Sequence, residues 1–97
     1  MKTVILDIRC IESVAALHIY LQYALKLPEH YGRNLDALHD ALGEIGQDTR
    51  IWLCRSPRPG GEMAAYLPRL ARVLEDAARE NAHLEIHLEE GGADALK

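Results

Sequence analysis

Residues 27–42 read LPEHYGRNLDALHDAL and crowd two histidines, His30 and His39, beside two acids one helical turn apart, Asp36 and Asp40. Imidazoles and carboxylates at this density can exchange protons with a substrate as general acid and base. They can also present fixed negative charge to a cationic partner. An enzyme acting on phosphates needs cations to hold its substrate, and Arg33 is the single Lys or Arg in the stretch, so electrostatics favour the second use. A further group, His83, Glu85 and His87, alternates along the chain in the manner of a metal triad. It lacks a fourth ligand and a supporting shell, so a solvated strand face is the simpler reading. Cys10 and Cys54 form no C-x-x-C or Cys/His pairing and read as reduced, buried thiols. No metal or cofactor is expected.

Charge placement sharpens that choice. The 97 residues carry a formal net charge of −4. Between residues 29 and 48, Glu29, Asp36, Asp40, Glu44 and Asp48 are balanced by Arg33 alone, so this segment accounts for the whole net charge and the rest of the chain cancels. Phosphate backbones attract basic grooves, so direct binding of nucleic acid is disfavoured. The apolar runs are too short to span a membrane, and no basic amphipathic helix appears. With no signal-peptide core either, a cytoplasmic protein is expected. Apolar residues make up 48% of the chain but aromatics 5%, with no Phe, so Leu, Ile, Val and Ala must build one modest core.

The elements that must position the acids follow from periodicity. TVILDI (3–8) is apolar and β-branched enough for a buried strand, and reads as the central one. From Glu12 to Lys26, Val14, Leu17, Leu21 and Leu25 recur at helical spacing, opened by Ser13 or Glu12 and ended near Leu27-Pro28. Gly32 supplies a turn, and Asn34 is an N-cap for a second helix whose inner stripe is Leu35, Leu38, Leu42 and Ile45, stopping between Gly43 and Gly46. RIWLCR (50–55) is a second short strand, and SPRPGG (56–61) a loop. Pro68 predicts a break, giving a short helix at 62–66 and a longer one from about Leu67 that buries Leu70, Val73, Leu74, Ala77 and Ala78. HLEIHLE (83–89) alternates strictly, with Leu84, Ile86 and Leu88 inward. Strands joined through helices imply a parallel sheet. The expected fold is therefore a small single-domain α/β structure over residues 1–90, with three parallel strands and about four helices, followed by a frayed tail at 91–97.

On that frame the two acids differ. Asp36 falls in the first turn after Asn34, where the helix dipole favours an anion by about 0.3–1 kcal/mol. Asp40 lies a turn beyond that reach and repels Asp36 by about 0.2–0.5 kcal/mol. Helix stability does not account for it, which leaves a solvated surface charge, the default on a helix's outer face, or a binding role.

The same run, LPEHYGRNLDALHDAL, resembles the central signature of the barstar family, intracellular inhibitors of secreted ribonucleases such as barnase. That signature is a Leu-Pro-Glu-aromatic-Tyr-Gly-x-Asn-Leu-Asp-Ala-Leu-x-Asp run forming a loop and the helix after it. The order of elements over about residues 3–88 also agrees with the family. The resemblance implies a barstar-like fold and a non-enzymatic protein that is monomeric when free. It implies a 1:1 complex in which loop and helix enter the basic active-site cleft of a cognate ribonuclease. Asp40 would then take the place of an RNA phosphate, with Asp36 as the second acidic contact. Tyr31, Gly32 and Asn34 match the loop and cap that set the helix's approach, Gly32 letting the backbone come close to the enzyme. Asp76, in VLEDAAREN, matches a family Glu that makes a peripheral ion pair. His30 and His39 replace large aromatics of the type member, and Arg33 replaces an acid. Those changes argue against tight binding to barnase itself and for a related nuclease with a differently charged rim. Protonation of His30 or His39 against a cationic cleft would weaken binding as pH falls. The alternative is a protein-interaction module with an acidic helix and no nuclease target.

Overall fold

A computed structural model of the chain describes residues 1–90; the expected tail at 91–97 lies outside the described residues. Strands β1 (Lys2–Asp7), β2 (Thr49–Arg55) and β3 (Leu84–Glu90) alternate with helices α1 (Val14–Ala24), α2 (Leu35–Gly43) and α3 (Gly61–Glu80). All three strands are parallel in the order β1-β2-β3. Both connections step the same way across the sheet, so right-handed crossovers put every helix on one face. On that face Val4, Leu6, Ile51 and Leu53 pack against Leu17 and Leu21 of α1, Leu38 and Leu42 of α2, and Leu70 and Leu74 of α3. The opposite face carries Ile5, Trp52 and His87 in register. There the Trp52 and His87 rings stack with centroids 4.2 Å apart.

Three sequence expectations change. The central strand is β2, not β1. Thr3 and Ile5 alternate with buried Val4 and Leu6 and point to solvent, because an edge strand over a one-sided helical layer needs only one buried face. An apolar run cannot distinguish the two positions when its outward residues are themselves β-branched. Second, Pro68 does not divide α3, so there are three helices among the described residues instead of about four. Pro68 and Ala64 are both exposed, so the carbonyl that loses its intrahelical partner meets solvent. Meanwhile Met63, Leu67, Leu70, Leu74 and Ala77 anchor both sides of the proline in the core. Third, Cys54 is buried as expected but Cys10, in the turn after β1, is exposed. Val73 and Ala78 flank the α3 stripe half-buried.

The caps agree with their residue types. Ser13 Oγ accepts from the Ala16 N–H at 3.1 Å to open α1, and Asn34 Oδ1 accepts from the Ala37 N–H at 2.8 Å to open α2. The far end of α2 is held from another element. Buried Asn81, at the C-cap of α3, donates through Nδ2 to the Leu42 and Ile45 carbonyls, each at 2.9 Å. These are orphan acceptors of a helix terminus, and Asn81 fixes α2 against α3 by satisfying them.

Candidate functional site

Residues 25–34 leave α1 and enter α2 through a loop whose conformation is determined by side chains reaching back. Lys26 turns the chain in the left-handed region at φ 54°, and the Leu27 N–H bonds the Gln22 carbonyl at 2.9 Å. Gln22 Nε2 then donates to the Pro28 carbonyl at 2.8 Å, and Arg33 Nε donates to Gln22 Oε1 at 3.2 Å. Arg33 is the second left-handed residue, at φ 53°. Gly32 serves by its missing side chain: a Cβ there would sit 3.2 Å from Ala37 Cβ. A side chain there would require the first turn of α2 to give by a few tenths of an ångström.

Tyr31 is buried, its hydroxyl 2.7 Å from His18 Nδ1, while Nε2 of the same imidazole lies 2.7 Å from the Tyr66 hydroxyl on α3. His30, Gly32, Arg33 and Asn34 are exposed around it. The loop therefore shows one buried anchor and an exposed rim.

Along α2 and its C-cap, Asp36, Asp40 and Glu44 are exposed at four-residue spacing on one face. The Asp40 side chain is 86% exposed, with His39 Nδ1 4.0 Å from its Oδ1. Asp40 borders a groove of about 180 Å³ with Pro28, His30, Tyr31 and Gly32, and a larger one of about 440 Å³ with His39, Ala77 and Glu80. His39 is half-buried and turned toward α3, its Nε2 2.5 Å from Glu80 Oε2. Asp76 is neutralised on its own helix by Arg79 and by Arg72, whose Nε is 4.0 Å away. The structure thus gathers His30, Tyr31, Gly32, Arg33, Asn34, Asp36, His39 and Asp40 on one loop and helix, with Asp76 nearby but already ion-paired.

Sequence reading missed Glu80, His18, Tyr66 and Gln22. Glu80 follows Asp76 by one helical turn, which was a usable signal. His18 lies directly in the apolar stripe of α1, and nothing local indicates that two tyrosines close on it. The histidines in and beside β3 have other neighbours: His83 Nδ1 meets Asp48 at 2.9 Å, Glu85 pairs with Arg50, and His87 stacks on Trp52 with its Nε2 3.5 Å from Glu85 Oε2. Among the described residues no group of His, Cys, Asp or Glu is arranged to hold a metal, and no helix is long and apolar enough to cross a membrane.

Comparison with known families decides what this loop and helix belong to. Residues 1–89 match the family model described as Barstar (barnase inhibitor). The chain belongs to the barstar family. A similar protein of Bacillus subtilis (strain 168), named "Putative ribonuclease inhibitor YrdF", is 48% identical over 81 residues, covering 82% of this chain and 89% of the relative. Membership extends well beyond the signature in residues 27–42, since the match runs from the first residue to β3. It also makes the chain a non-enzymatic protein.

Proposed function

We propose that this barstar-family protein inhibits a cognate, secreted barnase-like ribonuclease by entering its active-site cleft with loop 27–34 and the acidic face of α2. The complex is 1:1, the free protein is a monomer in the cytoplasm, and the pair acts as toxin and immunity protein. The observation that carries this reading is the unbalanced row of Asp36, Asp40 and Glu44. Elsewhere Asp7 pairs with Arg9, Asp76 with Arg79, and Glu85 with Arg50. Among the described residues no Lys or Arg pairs with the α2 row, and His39 is turned toward Glu80. A row that repels itself when free gains most from a partner rich in fixed positive charge.

A ribonuclease cleft is such a partner, because it holds closely spaced Arg, Lys and His for phosphate. A carboxylate preorganised on a rigid helix can satisfy those groups with charge-assisted hydrogen bonds. Asp40, exposed between two grooves, is the phosphate mimic in this reading, and Asp36 is the flanking contact. His30, Arg33 and His39 select which nuclease is accepted, Tyr31, Gly32 and Asn34 hold the loop, and Asp76 contributes at the periphery.

Titration of the protein into a barnase-like ribonuclease in a calorimeter, with RNA cleavage read in parallel, tests the proposal. The protein should cleave no RNA itself and should suppress the enzyme. Asp40→Ala should weaken binding at least about 30-fold, or about 2 kcal/mol, and Glu44→Ala less than about threefold. Equal small losses would remove Asp40 from the mimic's role. Absence of inhibition, with capture of an unrelated basic protein, would support the interaction-module alternative.

A further inference from the structure

The binding loop is tied to the core through one imidazole. His18 is 1% exposed and its two ring nitrogens each face a tyrosine hydroxyl, Tyr31 from the loop and Tyr66 from α3, both at 2.7 Å. The rings pack at angles, with centroids 5.8 Å apart in both pairs, so the contacts are fixed by packing as well as by hydrogen bonds. We infer that His18 is a positioning residue for the inhibitory loop, acting through the Tyr31 hydroxyl; the inference rests on the loop's proposed role in nuclease binding.

Hydrogen-bond accounting assigns the direction of each contact. A neutral imidazole donates at one nitrogen and accepts at the other. The Tyr31 hydroxyl is enclosed, and among the described residues its hydrogen-bond partner is His18. If Nδ1 carried the proton, the phenolic hydrogen of Tyr31 would be buried without an acceptor. Tyr31 therefore donates to Nδ1, and the Nε2 proton is given to the Tyr66 oxygen. Tyr66 is half-buried at the surface with Arg69 over its ring at 5.4 Å, so its own hydroxyl hydrogen can reach solvent. The arrangement satisfies every donor in one tautomer. It leaves the Tyr31 hydroxyl held by a single acceptor supplied from α1.

Two replacements separate the bonds. An asparagine amide occupies the place of Nδ1 and keeps an acceptor for Tyr31, whereas a glutamine amide reaches the place of Nε2 and keeps the Tyr66 contact. In the free protein, His18→Gln should speed amide hydrogen exchange across residues 29–34 by about tenfold or more, and His18→Asn by less than about threefold. Tyr31→Phe, which leaves His18 in place, should reproduce the His18→Gln pattern. Against a barnase-like ribonuclease that the unaltered protein inhibits, His18→Gln and Tyr31→Phe should lose about tenfold in affinity while His18→Asn stays close to the unaltered protein. Equal loop exchange in Asn and Gln variants, or acceleration spread evenly over the sheet and α3, would overturn the positioning role. If His18→Gln does not fold, Tyr31→Phe decides the matter alone through the same loop amides. Because exchange is read without any nuclease, failure of the inhibitor reading leaves this test intact.

Discussion

At the scale of single residues, buried polar groups couple stability to pH. Burial lowers the pKa of His18 from its ordinary 6.5, because the charged imidazolium loses its water there. The unfolded chain thus takes up this proton first, so His18's full contribution is present above pH 6.5 and is lost as pH falls toward the lowered value. Urea unfolding at pH 8 and pH 5.5 should show lower stability at the acid end, with the loss reduced in His18→Asn. Tyr31 has the opposite dependence. Burial, with Tyr66 nearby, raises its hydroxyl from 10.0 to about 12. Its contribution is present below pH 10 and disappears as pH rises to about 12, since the unfolded phenol ionises first. Stability measured across that window should fall more steeply in the unaltered protein than in Tyr31→Phe.

At the scale of elements, α2 is a short helix held at both ends by side chains. Asn34 caps its start, and Asn81 ties its end to α3 and β3, also accepting from the His83 N–H at 3.0 Å through Oδ1. Removing that amide strands two carbonyls and one N–H. Asn81→Ala should therefore cost about 2–3 kcal/mol in denaturant unfolding, although among the described residues Asn81 makes no side-chain hydrogen bond to the acidic row. On α3 the reverse holds for Pro68. The ring sits on the solvent side of a continuous helix and removes one backbone bond. Pro68→Ala should stabilise the protein by about 1 kcal/mol, the regained hydrogen bond outweighing the extra freedom of the unfolded chain. A loss of stability would mean that α3 depends on the proline for its path over the sheet.

At the scale of the whole molecule, the net charge of −4 is concentrated where the partner is proposed to bind. A field of one sign over the loop and α2 steers a basic cleft toward it and fades with added salt. Stopped-flow association with a barnase-like ribonuclease should slow by about tenfold or more between 50 and 500 mM salt, with dissociation changing less. Equal salt effects on both rates would argue against long-range steering. The two-layer architecture permits this arrangement: one sheet face carries the core, and the helices lie between it and solvent.

Much of this was legible without coordinates. Apolar runs, alternation and helical spacing identified three strands, the cap at Asn34, Ser13 or Glu12 as the opening of α1, and the concentration of acid around Asp36 and Asp40, because these depend on residues near one another in the chain. Strand order, the continuity of α3 through Pro68 and the exposure of Cys10 were decided in three dimensions, where neighbours distant in sequence determine what is buried. The same holds for His18. Its imidazole stands in an apolar stripe and looks like an ordinary core residue until Tyr31, 13 positions on, and Tyr66, 48 positions on, close from opposite sides. Local sequence specifies helix, strand and charge through short-range sterics and hydrogen bonding; which buried donor meets which acceptor is settled only when the chain folds and water is excluded.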